Sequence, residues 1–487
     1  MDNVDEYIDK VIKKGDEGSD LLETICVQTL KNSDLVDIVE GKKVLRIPEE
    51  YVVVVHSSTG DSELEDLTEY ASSLVENLVE QAENIDATPI GFANIIDSPD
   101  GDLKMLETIA NAFVERANHY SLAIMDGENA ILGERVNCPA NISGTMISII
   151  KKEEWEFLAG GRNTLTTFGT TYAAFDPEGQ PVTINSDGVG TKTEFYERIR
   201  RYERAGDDVM AMTFDDRIKD GSTVRVFSGT VETRGKIPVE KIRGHLINRA
   251  ADMGVIATLD HERVEERIMG YNEKEPSYNL NASVVGTLDE EKLRNPPSPS
   301  TGDFLIAIQG KPNPRSNGIT DKRRAMISML GENYHETEVG QVFLGYLAEP
   351  SDIFYPLFRE LLHTNVASSV YHMSGGAFDG KLARPLAKHN LFAKLSNLFQ
   401  ADGAEVAVMG ELKTPNEVAY GKWPMNNPGF ISTSRPDVAI KIIEGFGYQA
   451  RKVGQLLEAV DGETGVRLKG ILDSKGKEVY FSGKEAA

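Results

Sequence analysis

Cysteine is nearly missing from this chain, with Cys26 and Cys138 the two thiols among 487 residues. Two cysteines exclude a disulfide framework and a thiolate metal cluster, and they fit a reducing compartment. No run approaches the roughly 20 apolar residues of a membrane span, and the opening MDNVDEYIDKVIKKGDEGSD has neither the basic start nor the apolar core of a signal peptide. A cytoplasmic protein with no membrane partner is therefore expected. Positive charge is also short: 52 Lys and Arg stand against 77 Asp and Glu, a net charge of -25. Such a surface repels nucleic acid, so an anionic small molecule needs local basic groups or a bound metal.

What the chain has is length and a 40% hydrophobic share, enough for two to four domains with cores of their own. An internal repeat divides it. The first copy reads YVVVVHSSTGDS (51–62), GFANIID (91–97), DLKMLETIANAFVERAN (102–118), SLAIMDGENAILGER (121–135) and ISGTMISII (142–150). The second reads PVTINSDGVGTK (181–192), VRVFSGT (224–230), VEKIRGHLINRAADMG (239–254), VIATLDHERVEERIMG (255–270) and NASVVGTL (281–288). In the two helical segments apolar residues recur at spacings of three and four: Leu103, Leu106, Ala110, Phe113 and Ala117, then Val239, Ile242, Leu246 and Ile247. Each spacing predicts one buried helix face. Both copies then end the next strand in Asp-x-Glu, at Asp126 and Glu128 and at Asp260 and Glu262. Matches in the same order predict a duplicated domain of roughly 100 residues.

The copies differ in chemistry. The second carries Asp-Gly-Val-Gly-Thr-Lys at 187–192, where the first has His-Ser-Ser-Thr-Gly-Asp-Ser at 56–62. Two glycines, a lysine and an aspartate in six positions suit a phosphate with a divalent metal. The same pattern also reads as an ordinary strand-to-helix turn. It is not a Walker A loop, because Thr191 separates Gly190 from Lys192. Between the copies, FLAGGRNTLTTFGTTYAAF (157–175) reads as a connector or as a loop covering phosphate. The Pro/Ser stretch NPPSPSTGD (295–303) marks a boundary, after which FLIAIQG opens a further domain. Domains are expected at 1–152, 153–294 and 300–487, the last ending in a hairpin around Ser474. The expected fold is α/β of the α+β type, with two tandem repeats pairing as an internal pseudo-dimer beside one C-terminal domain.

With these pieces in order, the chain resembles the aminoimidazole ribonucleotide synthetase (phosphoribosylformylglycinamidine cyclo-ligase) family. The resemblance rests on Asp-Gly-Val-Gly-Thr-Lys at 187–192, GDDVMAMTFDDRI (206–218), RSNGITDKRRAMI (315–327), HMSGGAF (372–378) and GYQARKVGQL (447–456). Arg315 stands where the family has His, and Ser374 and Ala377 alter the family's glycine turn. The resemblance implies ATP-dependent phosphorylation of a formyl amide oxygen in formylglycinamidine ribonucleotide, then closure of an imidazole ring with loss of phosphate. It implies ATP and Mg2+ as cofactors and a small-molecule nucleotide as partner, with a higher oligomer left open.

The implied catalytic residues are Asp187, Lys192, Asp216 and His372. ATP would meet Gly160, Gly161, Asp187, Gly188, Gly190, Thr191, Lys192, Asp216 and Glu128. The substrate would meet Arg315, Ser316, Asn317, Gly318, Gly375 and Gly376. Metal would fall to Asp187 and Asp216 with either Glu128 or Glu262. Ser316 and Asn317 also read as caps of a helix over 319–329, and His372 also reads as a structural histidine. A formylglycinamidine ribonucleotide synthetase-like enzyme and a non-catalytic nucleotide-binding paralogue are the rival functions. Selenophosphate synthetase is disfavoured, since no cysteine follows Cys138.

Overall fold

The computed structural model describes residues 18–264, 267–272, 274–460, 462–470 and 478–484. Contacts divide it into two compact units. The first comprises residues up to 197 with 201–209 and 222–295, and the second comprises 198–200, 210–221 and 296 onward.

The first unit holds Val36–Val39 (β1), Lys42–Leu45 (β2), Tyr51–Thr59 (β3), Thr88–Ser98 (β4), Ala123–Ile131 (β5), Asn141–Lys151 (β6), Thr164–Thr167 (β7), Thr170–Phe175 (β8), Val182–Val189 (β9), Thr223–Arg234 (β10), Ile256–Arg263 (β11) and Ser277–Thr287 (β12). They form two six-stranded sheets, ordered β5-β4-β6-β3-β8-β7 and β1-β2-β9-β12-β10-β11. The repeat is plain in this order. β3-β6-β4-β5 in one copy answers β9-β12-β10-β11 in the other, antiparallel except for the outer pairs β4–β5 and β10–β11, which are parallel. Each hairpin joins the other copy's sheet: β1–β2 precedes the first copy yet pairs with β9, and β7–β8 precedes the second yet pairs with β3.

A run such as VVVV at 52–55 is apolar on both faces, so it needs cover on both sides. Val53 and Val55 enter a core shared with Ala93, Ile147 and Ile149 of the first sheet and with Val182, Ile184, Val226 and Val285 of the second. Val52 and Val54 turn the other way, onto Ala82, Ile150 and Trp155. Helices Leu67–Glu83 and Leu103–His119 cover the outer face through Leu74, Leu78, Leu106, Ile109 and Phe113. Each starts on an aspartate cap, Asp66 and Asp102, whose carboxylate accepts amide hydrogens of the first turn.

The buried faces follow the expected spacing with two exceptions. Leu106, Ala110, Phe113 and Ala117 are fully buried, as are Ile242 and Leu246, with Val239 nearly so. Leu103 and Ile247 are exposed, because they stand at the edge of the apolar stripe where the helix turns away from its sheet.

In the second unit Phe304–Gln309 (β13), Ser369–His372 (β14), Leu391–Lys394 (β15), Gly429–Thr433 (β16), Gln449–Gln455 (β17), Leu457–Glu458 (β18), Gly465–Lys469 (β19) and Glu478–Phe481 (β20) make two four-stranded sheets, β14-β16-β13-β17 and β18-β15-β19-β20. They share a core that includes Leu305, Phe378, Trp423, Phe430 and Val466. β19 and β20 pair antiparallel; the turn expected at Ser474 lies outside the described residues.

Candidate active site

Asp187 and Gly188 belong to the end of β9 itself, and the chain turns at Gly190 into the helix Thr193–Ile199. Asp187 is half-buried, and its Oδ1 accepts the Gly188 amide hydrogen at 2.7 Å. The second glycine is required by packing: a Cβ at Gly190 would run into the side chain of Leu132 from the first copy. Lys192 is buried and pairs with Asp208 at 2.7 Å, while the Tyr196 hydroxyl donates to the other Asp208 oxygen. The charge that the sequence directs at phosphate is thus oriented by a buried carboxylate.

The first copy braces this turn along one continuous stretch. Asp126 Oδ2 accepts the Ser186 amide hydrogen at 2.8 Å, next to Asp187. Leu132 packs on Gly190. Arg135, itself buried, grips Glu197 through two bonds of 2.9 and 2.7 Å and donates to Thr193 Oγ1 at 2.8 Å, at the start of the helix. Sequence reading missed Arg135. Its partner lies 62 residues away, and no local pattern announces a pair at that distance.

Both Asp-x-Glu pairs lie within strands, β5 and β11, rather than in turns. Side chains two apart on a strand share a face, so half-buried Glu128 stands on the face from which Asp126 reaches the Asp187 strand. Glu262 is exposed at the end of β11. The sheet registers also match the copies residue by residue. Asp97 faces Asn141 as Glu232 faces Asn279, which puts Thr59 opposite Ser143 where Gly188 is opposite Asn281. Ser58 therefore occupies the place of Asp187 in the first copy, and a hydroxyl replaces the carboxylate there.

Under the turn the same registers bring together a buried polar cluster. Asn279 Nδ2 donates to Asp97 at 2.6 Å and to Glu232 at 3.1 Å, Asn281 Nδ2 donates to Asp97 at 2.9 Å, and Asn141 Nδ2 donates to Glu232 at 2.6 Å. Burial pushes the Asp97 carboxyl up to about 6. Burial and the neighbouring Asp97 push Glu232 up to about 8. An acid whose pKa is raised on folding holds its proton longer in the native state, so stability is full at low pH and falls as pH rises through the native value. The melting temperature is expected to drop between pH 5 and about pH 8 as Glu232 ionises. In Glu232→Gln that slope should flatten, since an amide oxygen still accepts from Asn141 and Asn279; an unchanged slope would remove Glu232 as its source.

In the second unit Arg315 is fully buried. Its guanidinium donates to Asp215 Oδ2 at 3.1 Å, to the Asp352 carbonyl at 2.6 Å and to His372 Nδ1. A guanidinium only donates, so His372 Nδ1 accepts and we assign the ring proton to Nε2, 4.0 Å from Asp216 Oδ1. Burial, aided by the Arg315 charge, pulls His372 down to about 4, so the ring is neutral at pH 7. Asp216 lies between two ammonium groups, Lys219 at 2.8 Å and Lys381 at 3.4 Å. Despite burial, those charges hold its carboxyl far below the usual carboxylate range. The oxygens expected to take metal thus already face cations.

Neither Ser316 nor Asn317 caps the following helix, Ile319–Leu330. Gly318 does so at φ +59° without a side-chain bond, and Asn317 Nδ2 instead donates to the Met373 carbonyl at 3.2 Å. That ties the 315–318 turn to the glycine turn after His372. Lys322 Nζ donates to the Asn317 carbonyl at 3.0 Å from beneath. A Cβ at Gly318 would overlap the Trp423 indole, and the positive φ disfavours it further. Gly318→Ala should therefore cost about 2–4 kcal/mol of stability, read by urea denaturation; a loss under about 0.5 kcal/mol would mean the indole is free to move away. Gly160 and Gly161 end the helix Lys152–Ala159 in left-handed conformation, and a Cβ added at either would meet nothing within 4 Å. The rest of 157–175 is the β7–β8 hairpin, turning at Phe168 and Gly169.

No family model matches the chain. It is 25% identical over 297 residues to the phosphoribosylformylglycinamidine cyclo-ligase of Clostridium perfringens, covering 60% of this chain and 86% of that protein. Among solved structures, thiamine-monophosphate kinase from Stenotrophomonas maltophilia K279a shares 12% identity with a TM-score of 0.41, over 66% of this chain and 96% of that one. A chain from the HypE-HypF complex shares 12% identity with a TM-score of 0.38, over 66% and 92%.

Proposed function

We propose that the chain is an ATP-dependent cyclo-ligase that converts formylglycinamidine ribonucleotide to aminoimidazole ribonucleotide with release of ADP and phosphate. The observation that carries this reading is the bracing of the Asp187 turn. The first copy lacks the acidic turn itself, yet Asp126, Leu132 and Arg135 hold the second copy's turn in place. A duplicated domain that keeps one such turn and spends the other copy on positioning it suits a single phosphate site. The likeness to a cyclo-ligase along most of that enzyme's length supports the acceptor.

Phosphoryl transfer asks for positioning and for charge on the oxygens to be neutralised. In this reading the 188–192 backbone holds the triphosphate, Asp187 faces its metal, and Lys192 beneath the turn supplies a cation that Asp208 orients. Magnesium is commonly held by one or two carboxylates together with substrate phosphates, and half-buried Asp187 with Glu128 meets that need. When bound it neutralises charge between the phosphates. The second unit supplies the acceptor residues. Neutral His372 presents an Nε2–H donor, and Arg315 fixes its tautomer. The 315–318 and 374–377 turns, tied through Asn317, shape the acceptor's place. Phosphate is a far better leaving group than an amide oxygen, so ring closure by the amidine nitrogen follows. ADP formation that depends on formylglycinamidine ribonucleotide tests the reading. ADP release unaffected by the acceptor would point to a plain ATPase, and none at all to a paralogue without catalysis.

A further inference from the structure

In a chain of net charge -25, one pocket of the second unit gathers cations. A cavity of about 570 Å³ is lined by Lys219, Lys381 and Arg384 with His389 at its edge; Asp379 is the carboxylate on its wall. Lys219 and Lys381 both pair with Asp216, at 2.8 and 3.4 Å. Among the described residues, three cationic side chains line the cavity against one lining carboxylate, so positive charge is in excess on its wall. Such crowding is relieved by an anion. Arg384 touches Asp379 only at 4.0 Å and is half-exposed, leaving its planar fork open to the solvent side.

The wall between these cations is built for close approach. Gly375 would meet nothing within 4 Å if it carried a Cβ, and Gly376 sits at φ +82°. Ala377 is held at φ +33°, ψ -120°, a conformation an L-residue adopts at a cost of about 1–3 kcal/mol. It enters a π-helical turn, Phe378–Ala383, that carries both Asp379 and Lys381. Strain of this kind and π turns both concentrate at binding sites. The volume exceeds that of a bare phosphate and suits a phosphorylated five-carbon sugar.

We propose that this pocket binds the phosphate monoester of a ribose-sized acceptor, with Lys219, Lys381 and Arg384 around the anion and the 375–376 backbone against it. It rests on the acceptor being a nucleotide, as above, and adds where the monoester sits. Calorimetry of the full chain with ribose 5-phosphate, with ribose and with a non-hydrolysable ATP analogue tests it. Ribose 5-phosphate is expected to bind and ribose not to. Arg384→Gln should weaken the sugar phosphate at least threefold and Lys381→Met at least tenfold, with melting temperatures recorded to show that both fold. Asp187→Asn should leave this affinity unchanged even if ATP turnover is lost, so the pocket and the ATP turn fail separately. Absence of ribose 5-phosphate binding, equal affinity in both variants, or displacement of the sugar phosphate by the ATP analogue would overturn the proposal; the last would assign the cations to the triphosphate.

Discussion

Asp187→Asn should lower ATP turnover by about 100-fold or more with little change in stability. The carboxylate is half-buried at the end of β9, and the bond it accepts from the Gly188 amide can be made as well by an amide oxygen. Shape and packing therefore survive the substitution. What is lost is a unit of negative charge where a metal and its phosphates are proposed to sit, a term that acts on the transition state. Steady-state ADP formation alongside thermal melting separates the two effects. Full turnover in a folded Asp187→Asn protein would remove the turn from the catalytic site. A large drop in melting temperature would instead show that the carboxylate holds the fold.

Lys192→Met should act the opposite way, through stability first. Lys192 and Asp208 are both almost completely buried and pair at 2.7 Å. Removing Lys192 takes its cation away from the buried Asp208 carboxylate, and broken buried pairs cost about 3–5 kcal/mol. The Tyr196 hydroxyl still donates to Asp208, which offsets part of that loss. A second change, Asp208→Asn, made on top of Lys192→Met should recover stability, because the buried carboxylate charge that Lys192 balanced is gone. Urea denaturation of the two single variants and the double gives the coupling energy. Additive losses would mean that the pair contributes nothing as a pair.

Much of this architecture was legible because local patterns carried it. The repeat showed itself in the order of strand, helix and acidic strand, and the matched sheet orders bear it out. The Leu106, Ala110, Phe113, Ala117 stripe was present in the spacing. What was not legible is what depends on distant partners. Nothing near Arg135 marks Glu197, and nothing near Asp216 marks Lys381, since such pairs exist only once the chain is folded. Arg315 was expected to meet the substrate, but the structure surrounds its guanidinium with Asp215, His372 and a carbonyl. The glycines at 188 and 190 were read as room for a ligand, and their near neighbours are Asn281 and Leu132.

The most direct measurement follows the formyl oxygen. Formylglycinamidine ribonucleotide labelled with oxygen-18 in the formyl group is incubated with ATP, Mg2+ and the full chain, and the released phosphate is weighed by mass spectrometry. Phosphorylation of the amide oxygen sends that oxygen out with phosphate, so one heavy oxygen per phosphate is expected, in step with ADP. Unlabelled phosphate released in the same amount would mean that water attacks ATP, and would contradict the proposed chemistry.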